Sequence, residues 1–114
     1  QTLPRAIGER RAKELILTGQ VFTAQQALKW GLANAVYPLK DLLPKVLVTA
    51  QAIAANAPLA VRQAKQAISK GPSMGLNDGL AFEIEAYNRT IPTQDRLEGV
   101  LAFNEKRSPN FTGD

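Results

Sequence analysis

The chain has 114 residues, of which 45% are hydrophobic and 21% charged, and this composition fits one globular domain. It contains no cysteine and no histidine, which excludes disulfide scaffolds, cysteine nucleophiles and a Ser-His-Asp arrangement within the chain. Its formal net charge of +4 permits polyanion binding, but solvated helix faces are the expected explanation of such a balance. No apolar run approaches the roughly 18–20 residues of a membrane helix, so we expect no membrane segment.

The first part of the chain predicts short helices separated by glycine. Residues 9–18 keep helical spacing of their apolar positions, and Gly19 suits the left-handed position after a helix end. Thr23, followed three residues later by Gln26, predicts a capping box that opens a helix ending near Gly31. Residues 32–37, followed by a proline, predict a short extended segment.

The remainder of the chain predicts longer helices, each opened by a cap or a proline. We expect Asp41 to cap the first of them, Pro58 to begin the second, and Thr93 to cap the last. The predicted helices cover residues 42–56, 58–70, 76–89 and 94–107. The chain is therefore predicted to be mainly α, with about six helices and at most one short strand.

The carboxylates predict structural roles. Glu83 and Glu85 are two residues apart, so on a helix they point roughly 200° apart and cannot share a proton or a metal ion. Asp95 and Glu98 can meet, but they lie in the first turns after Thr93, where acidic side chains stabilise the helix dipole. We therefore expect capping and dipole roles for these two, with no catalytic and no metal-binding residue in the chain.

Two aromatic residues need an interpretation. Trp30 precedes a helix-ending glycine and is interpreted as a packing residue or an anchor at a subunit contact. Phe103 and Lys106 are three apart on the last predicted helix, so they are expected to share a face. An aromatic ring beside an ammonium can stack on a purine and meet a phosphate. The alternative is a buried Phe103 beside a solvated Lys106.

The order of several motifs resembles the enoyl-CoA hydratase/isomerase (crotonase) family. The last helix and tail read EGVLAFNEKRSPNF over residues 98–111, similar to the family's closing pattern Glu-Gly-x-x-Ala-Phe-x-Glu-Lys-Arg-x-Pro-x-Phe. Upstream stretches also resemble family motifs in series: AKELILTG at 12–19, ALKWGLANAV at 27–36 and PLAVRQAK at 58–65. Residues 90–99 look closest to the methylglutaconyl-CoA hydratase branch.

The resemblance implies a fold and an assembly. It implies the helical C-terminal, trimerisation region of a crotonase-like α/β spiral. Residues 1–38 would be the last helices and edge segment of the core, and residues 39–114 the oligomerisation region. Homo-oligomers, either trimers or dimers of trimers, are expected. The only methionine is Met74 and residue 1 is Gln1, so we expect that the chain is processed or cut from a longer protein.

The resemblance also implies a chemistry that is located upstream of this chain. The family's two oxyanion-hole N–H groups and two catalytic glutamates belong to segments before Gln1, so the chain alone is expected to be inactive. The matching Phe103 and Lys106 are implied to reach the adenine and phosphate end of CoA, often in a neighbouring subunit's site. Acyl-CoA is then the substrate, no separate cofactor is expected, and the compartment would be cytoplasmic in bacteria or the mitochondrial matrix in eukaryotes. A non-enzymatic helical self-association module and a basic nucleic-acid-binding domain are the alternatives.

Overall fold

A computed structural model describes all 114 residues, and it contains seven α-helices, one 3₁₀ turn and no strand. The mainly α prediction is therefore confirmed. The helices are α1 (Thr2–Ile7), α2 (Glu9–Thr18), α3 (Ala24–Lys29), α4 (Leu39–Ala54), α5 (Pro58–Lys70), α6 (Leu76–Asn88) and α7 (Gln94–Glu105), and the 3₁₀ turn is Gly71–Ser73. Residues 32–37 form no strand because no second extended segment pairs with them.

Local chemistry sets several of the helix ends as predicted. Gly19 follows α2 in a left-handed conformation with φ 67°. At the start of α3 the Gln26 N–H donates to Thr23 Oγ1 at 3.2 Å, and the Thr23 N–H donates to Gln26 Oε1 at 2.8 Å, so the capping box is confirmed. Pro58 occupies the first position of α5, where its missing N–H costs nothing.

The predicted start of α4 is wrong. Asp41 does not cap this helix but lies in its first turn, because the helix begins at Leu39. The carbonyl of Pro38 accepts the first backbone hydrogen bonds of the helix, from the Asp41 N–H at 2.9 Å and from the Leu42 N–H at 3.0 Å. A carboxylate in this first turn still stabilises the positive end of the helix dipole.

The first of two compact units spans Gln1–Val46 and has a small core. The core residues are Ile7, Ala12 and Leu15, with Leu3 and Trp30 packed against them. The ring of Trp30 also meets that of Phe22 at 5.4 Å between centroids, and the Arg11 guanidinium carbon lies 4.9 Å from the Trp30 ring centroid. The predicted packing role of Trp30 is confirmed.

The second compact unit spans Leu47–Asp114. Within it α5 packs against α6, and the 3₁₀ turn that joins them contacts both helices. Small side chains on α5 allow this approach, and they are Ala60, Ala64 and Ala67. The division predicted at residue 38 assigns roles within a larger fold, and it stays a prediction.

Much of the apolar surface is left uncovered. Only six hydrophobic residues are buried, and α4 buries none of its residues. Leu39 on α4 is 87% exposed and Leu76 on α6 is 79% exposed. Such contiguous apolar faces mark contact surfaces in folded proteins. No single helix is long and apolar enough to span a membrane, and only the bent pair Leu39–Ala54 and Pro58–Ser73 passes on length and composition.

We predict that the isolated chain self-associates, because covering its water-exposed apolar helix faces lowers the free energy of the system. Sedimentation velocity at increasing concentration should show oligomers, and a hydrophobic dye should fluoresce in its presence. A monomer that melts cooperatively and binds no dye would contradict this expectation.

Candidate functional site

The start of α7 holds the end of the chain. Thr93 caps the helix, its Oγ1 accepting from the Arg96 N–H at 3.1 Å, as predicted. The next carboxylate, Asp95, is 3% exposed and accepts from the Thr112 N–H at 2.7 Å and the Gly113 N–H at 2.9 Å. Asp95 therefore fixes the last residues of the tail, which the sequence pattern did not predict.

One turn further along α7, Glu98 forms a second attachment. Its two oxygens pair with the guanidinium of Arg107 at 2.6 and 2.9 Å. The backbone N–H of Asn110 also donates to Glu98 Oε1 at 2.7 Å. Arg107 Nε lies 2.6 Å from the carboxylate of Glu105, so one arginine joins two acidic side chains. Paired, two-pronged arginine–carboxylate bonds of this kind are directional as well as charged.

These contacts change the proton affinity of both groups. The pKa of Glu98 falls from its ordinary 4.5 to about 2, chiefly because Arg107 donates to it and also because the Asn110 N–H does. The pKa of Arg107 is raised above its ordinary value by its hydrogen bonds to Glu98 and Glu105. The pair therefore stays ionised at neutral pH, and the predicted dipole role of Glu98 is only part of its function.

A glycine and an aromatic ring complete the tail's attachment. A Cβ built on Gly99 would lie 3.6 Å from Cε1 of Phe111, so the ring rests on the bare backbone of α7. At the other end, a Cβ built on Gly113 would lie 3.5 Å from Cγ of Pro58. Gly113 has φ 91°, a conformation that other residues rarely adopt. The tail thus runs from the end of α7 back to the start of α5.

The helix end differs from the prediction in one important respect. Helix α7 stops at Glu105, and Lys106 lies beyond it in the left-handed region with φ 56° and ψ 37°. The Lys106 N–H donates to the Phe103 carbonyl at 3.2 Å, and the Arg107 N–H donates to the Ala102 carbonyl at 3.0 Å, which is a Schellman ending. The prediction that Phe103 and Lys106 share a helix face is therefore wrong, because the chain reverses hand between them.

The two predicted binding residues nevertheless flank the same turn. Phe103 is 82% exposed within this chain. Lys106 is exposed, and its ammonium takes part in none of the ion pairs. An exposed ring and an unpaired ammonium therefore accompany the ending of α7, next to a turn whose following residues are hydrogen-bonded to Glu98.

An apolar groove lies between α5 and α6, with a volume of about 830 Å³. Apolar side chains of both helices line it, together with the 3₁₀ turn. They include Ala60, Ala64, Ala67, Ile68, Leu76, Leu80 and Tyr87. Glu83 is the only acidic or basic residue in the lining, so the groove suits an apolar helix or side chain and not a charged reaction centre.

Comparison with known proteins identifies the family. The profile of the enoyl-CoA hydratase/isomerase family matches residues 1–114, the whole chain. The chain belongs to this family. The resemblance seen in the motifs is thereby confirmed, and the seven helices form a helical part of the crotonase fold.

Individual members of the family are similar over nearly all of the chain. The Bacillus subtilis protein YngF is 52% identical over 113 residues, which are 99% of this chain and 44% of YngF. Human mitochondrial methylglutaconyl-CoA hydratase is 43% identical, over all of this chain and 35% of the human protein. The crystal structure of a Bacillus anthracis enoyl-CoA hydratase superimposes with a TM-score of 0.98 at 50% identity, covering 100% of this chain and 44% of that one. The chain thus spans less than half the length of these relatives.

We predict that the Glu98 attachment is complete above about pH 4.5 and is lost as the pH falls through about 2. The sign follows from the lowered pKa, because the folded state favours the ionised carboxylate and protonation removes that preference. In an NMR titration of a uniformly labelled sample, the Glu98 carboxyl and the Asn110 amide should change together with a midpoint near 2.

The matched variant is Arg107→Ala, which removes the principal donor and should move the Glu98 midpoint up toward 4.5. A wild-type midpoint already near 4.5, unmoved by this substitution, would contradict the described pairing.

Proposed function

We propose that this chain is the C-terminal part of an enoyl-CoA hydratase-like lyase that acts on acyl-CoA thioesters. The family match over all 114 residues supports the reaction class, and the 44% coverage of YngF supports a role as one part of a longer enzyme. The chain has no histidine or cysteine, and its site carboxylates Asp95 and Glu98 are committed to the tail. The catalytic glutamates and the oxyanion hole would be supplied by the remainder of the enzyme.

The chain's own contribution to the substrate site would be at the end of α7. The observation that carries this proposal is the 82% exposure of Phe103 beside a turn whose Lys106 ammonium has no acidic partner. A free aromatic face stacks on adenine, and a free ammonium attracts the phosphates of CoA. No separate cofactor would be needed, since the acyl-CoA is itself the substrate.

A second contribution would be to assembly. The exposed apolar faces of α4 and the α5–α6 groove favour covering by other parts of the enzyme or by further copies, as trimers or dimers of trimers. The same observation favours a non-enzymatic self-association module as the second candidate. The self-association module and the nucleic-acid-binding domain both predict that the full-length protein does not bind CoA. Relatives named as mitochondrial come from eukaryotes, so the compartment would follow the host cell.

We expect the full-length protein to hydrate crotonyl-CoA, measured by loss of the enoyl-thioester absorbance, and the isolated chain to show no turnover. Turnover by the isolated chain would contradict the proposed division of labour. A full-length protein that neither binds CoA nor turns over any enoyl-CoA would favour the self-association module.

The CoA contact is tested by Lys106→Ala in the full-length protein. We expect the Kd for CoA to rise by about fivefold at low ionic strength, the upper end of what an exposed ion pair contributes. The difference should shrink as salt is added, because screening weakens an exposed charge contact. Titration calorimetry of CoA measures both effects.

Two controls separate this contact from general damage. Lys40→Ala removes an exposed lysine on α4 and so changes the net charge of the protein by the same amount. It should leave CoA affinity unchanged. Pantetheine lacks the nucleotide and its phosphates, so its weaker binding should be equal in wild type and Lys106→Ala. An unchanged Kd for CoA in Lys106→Ala would show that this lysine has no part in the site.

A further inference from the structure

The left-handed conformation of Lys106 stands out within this chain. Every other residue with positive φ is a glycine: Gly8, Gly19, Gly31 and Gly113. Helix α3 ends in the same hydrogen-bond pattern as α7, with the Gly31 N–H donating to Leu28 and the Leu32 N–H donating to Ala27. There the left-handed position is filled by Gly31, with φ 75°. A lysine at the corresponding position of α7 is conformationally unfavourable, because in the left-handed region its Cβ lies too close to the following carbonyl oxygen.

Two carboxylates hold the backbone on the far side of Lys106: Glu105 accepts one bond from Arg107 Nε at 2.6 Å, and Glu98 accepts three bonds. Glu98 takes the Arg107 guanidinium at 2.6 and 2.9 Å and the Asn110 N–H at 2.7 Å. On the near side, the Lys106 N–H is bonded to the Phe103 carbonyl. Lys106 therefore lies between two anchored points, and its unfavourable conformation is fixed by its neighbours.

We propose that Glu98 is a positioning residue, which through Arg107 and the Asn110 N–H holds Lys106 in the left-handed turn where its ammonium meets the phosphates of CoA. This inference rests on the proposed function, because it assigns a role in the same CoA site. Glu98 itself touches no ligand in this scheme. Its contribution is to remove the conformational freedom of the turn before CoA arrives, which lowers the entropic cost of binding.

Attachment of the tail alone does not account for this arrangement. The tail's last residues are already fixed by Asp95, through the Thr112 and Gly113 N–H groups. A chain selected only for a stable helix end would place glycine at position 106, as it does at position 31. An unfavourable backbone conformation at a lysine, fixed by an additional carboxylate, is expected where the lysine side chain itself contacts a ligand.

A double-mutant cycle on the full-length protein tests the proposal, with CoA as the probe and calorimetry as the measurement. Glu98→Gln keeps the size of the side chain but weakens its hydrogen bonds to Arg107, because glutamine carries no charge. It should raise the Kd for CoA by about threefold to fivefold. Lys106→Gly keeps the left-handed turn without the ammonium, and it should raise the Kd by about fivefold while leaving the melting temperature equal or higher. In the double variant, Glu98→Gln should have no further effect on the Kd, because there is no longer a lysine to position.

Glu85→Gln on α6 is the matched control, an exposed glutamate whose side chain forms none of the ion pairs, and it should leave the Kd unchanged. Equal losses from Glu98→Gln in the wild-type and Lys106→Gly backgrounds would overturn the positioning role and indicate a structural effect only. If Lys106→Gly weakens CoA binding and Glu98→Gln does not, the positioning role fails while the proposed CoA contact stands. An unchanged Kd in Lys106→Gly would overturn both.

Discussion

The carboxylate of Glu98 determines how the end of this chain is arranged. It accepts from the Arg107 guanidinium and from the Asn110 N–H, and it thereby brings the residues after α7 back along the helix they have just left. Asp95 repeats the principle one turn earlier by binding the Thr112 and Gly113 N–H groups. Charged acceptors that bind backbone N–H groups are stronger than neutral ones, so two side chains order a segment with no regular structure of its own.

The hydrogen bonds of Asp95 and Glu98 to the tail contribute to stability in a chain that buries few apolar side chains. Its six buried hydrophobic residues include four alanines, whereas large residues such as Leu17, Leu39 and Leu76 are mostly exposed. Under the proposed function, these exposed faces would be covered by the rest of the enzyme or by further copies of it. This agrees with the lengths of the relatives, since the chain covers only 44% of YngF and of the Bacillus anthracis enzyme.

Local signals in the sequence were sufficient to predict most helix ends, because caps act over three or four residues. The Thr23 capping box, the Thr93 cap, Pro58 and Gly19 are in this class. The start of α4 was placed too late because Asp41, a residue type common both at the cap and in the first turn, lies in the first turn of a helix that begins at Leu39.

The candidate site was only partly predictable for a related reason. Phe103 and Lys106 could be chosen from the motif, but their geometry depends on where α7 ends, and lysine gives no sign of a left-handed turn. The Glu98–Arg107 pair spans nine residues, beyond the spacing at which helical pairs are recognised in a sequence. The position of Asp95 and Glu98 in the first turns of α7 predicted capping and dipole roles, and it gave no sign that each binds a different part of the tail.

The most direct test of the account is a crystal structure of the full-length protein with CoA bound. The account predicts the adenine against the Phe103 ring and a CoA phosphate within hydrogen-bond distance of the Lys106 ammonium, with Lys106 still left-handed and Glu98 still paired with Arg107. Clear density for CoA whose nucleotide lies against other residues, with Phe103 and Lys106 free in solvent, would contradict it.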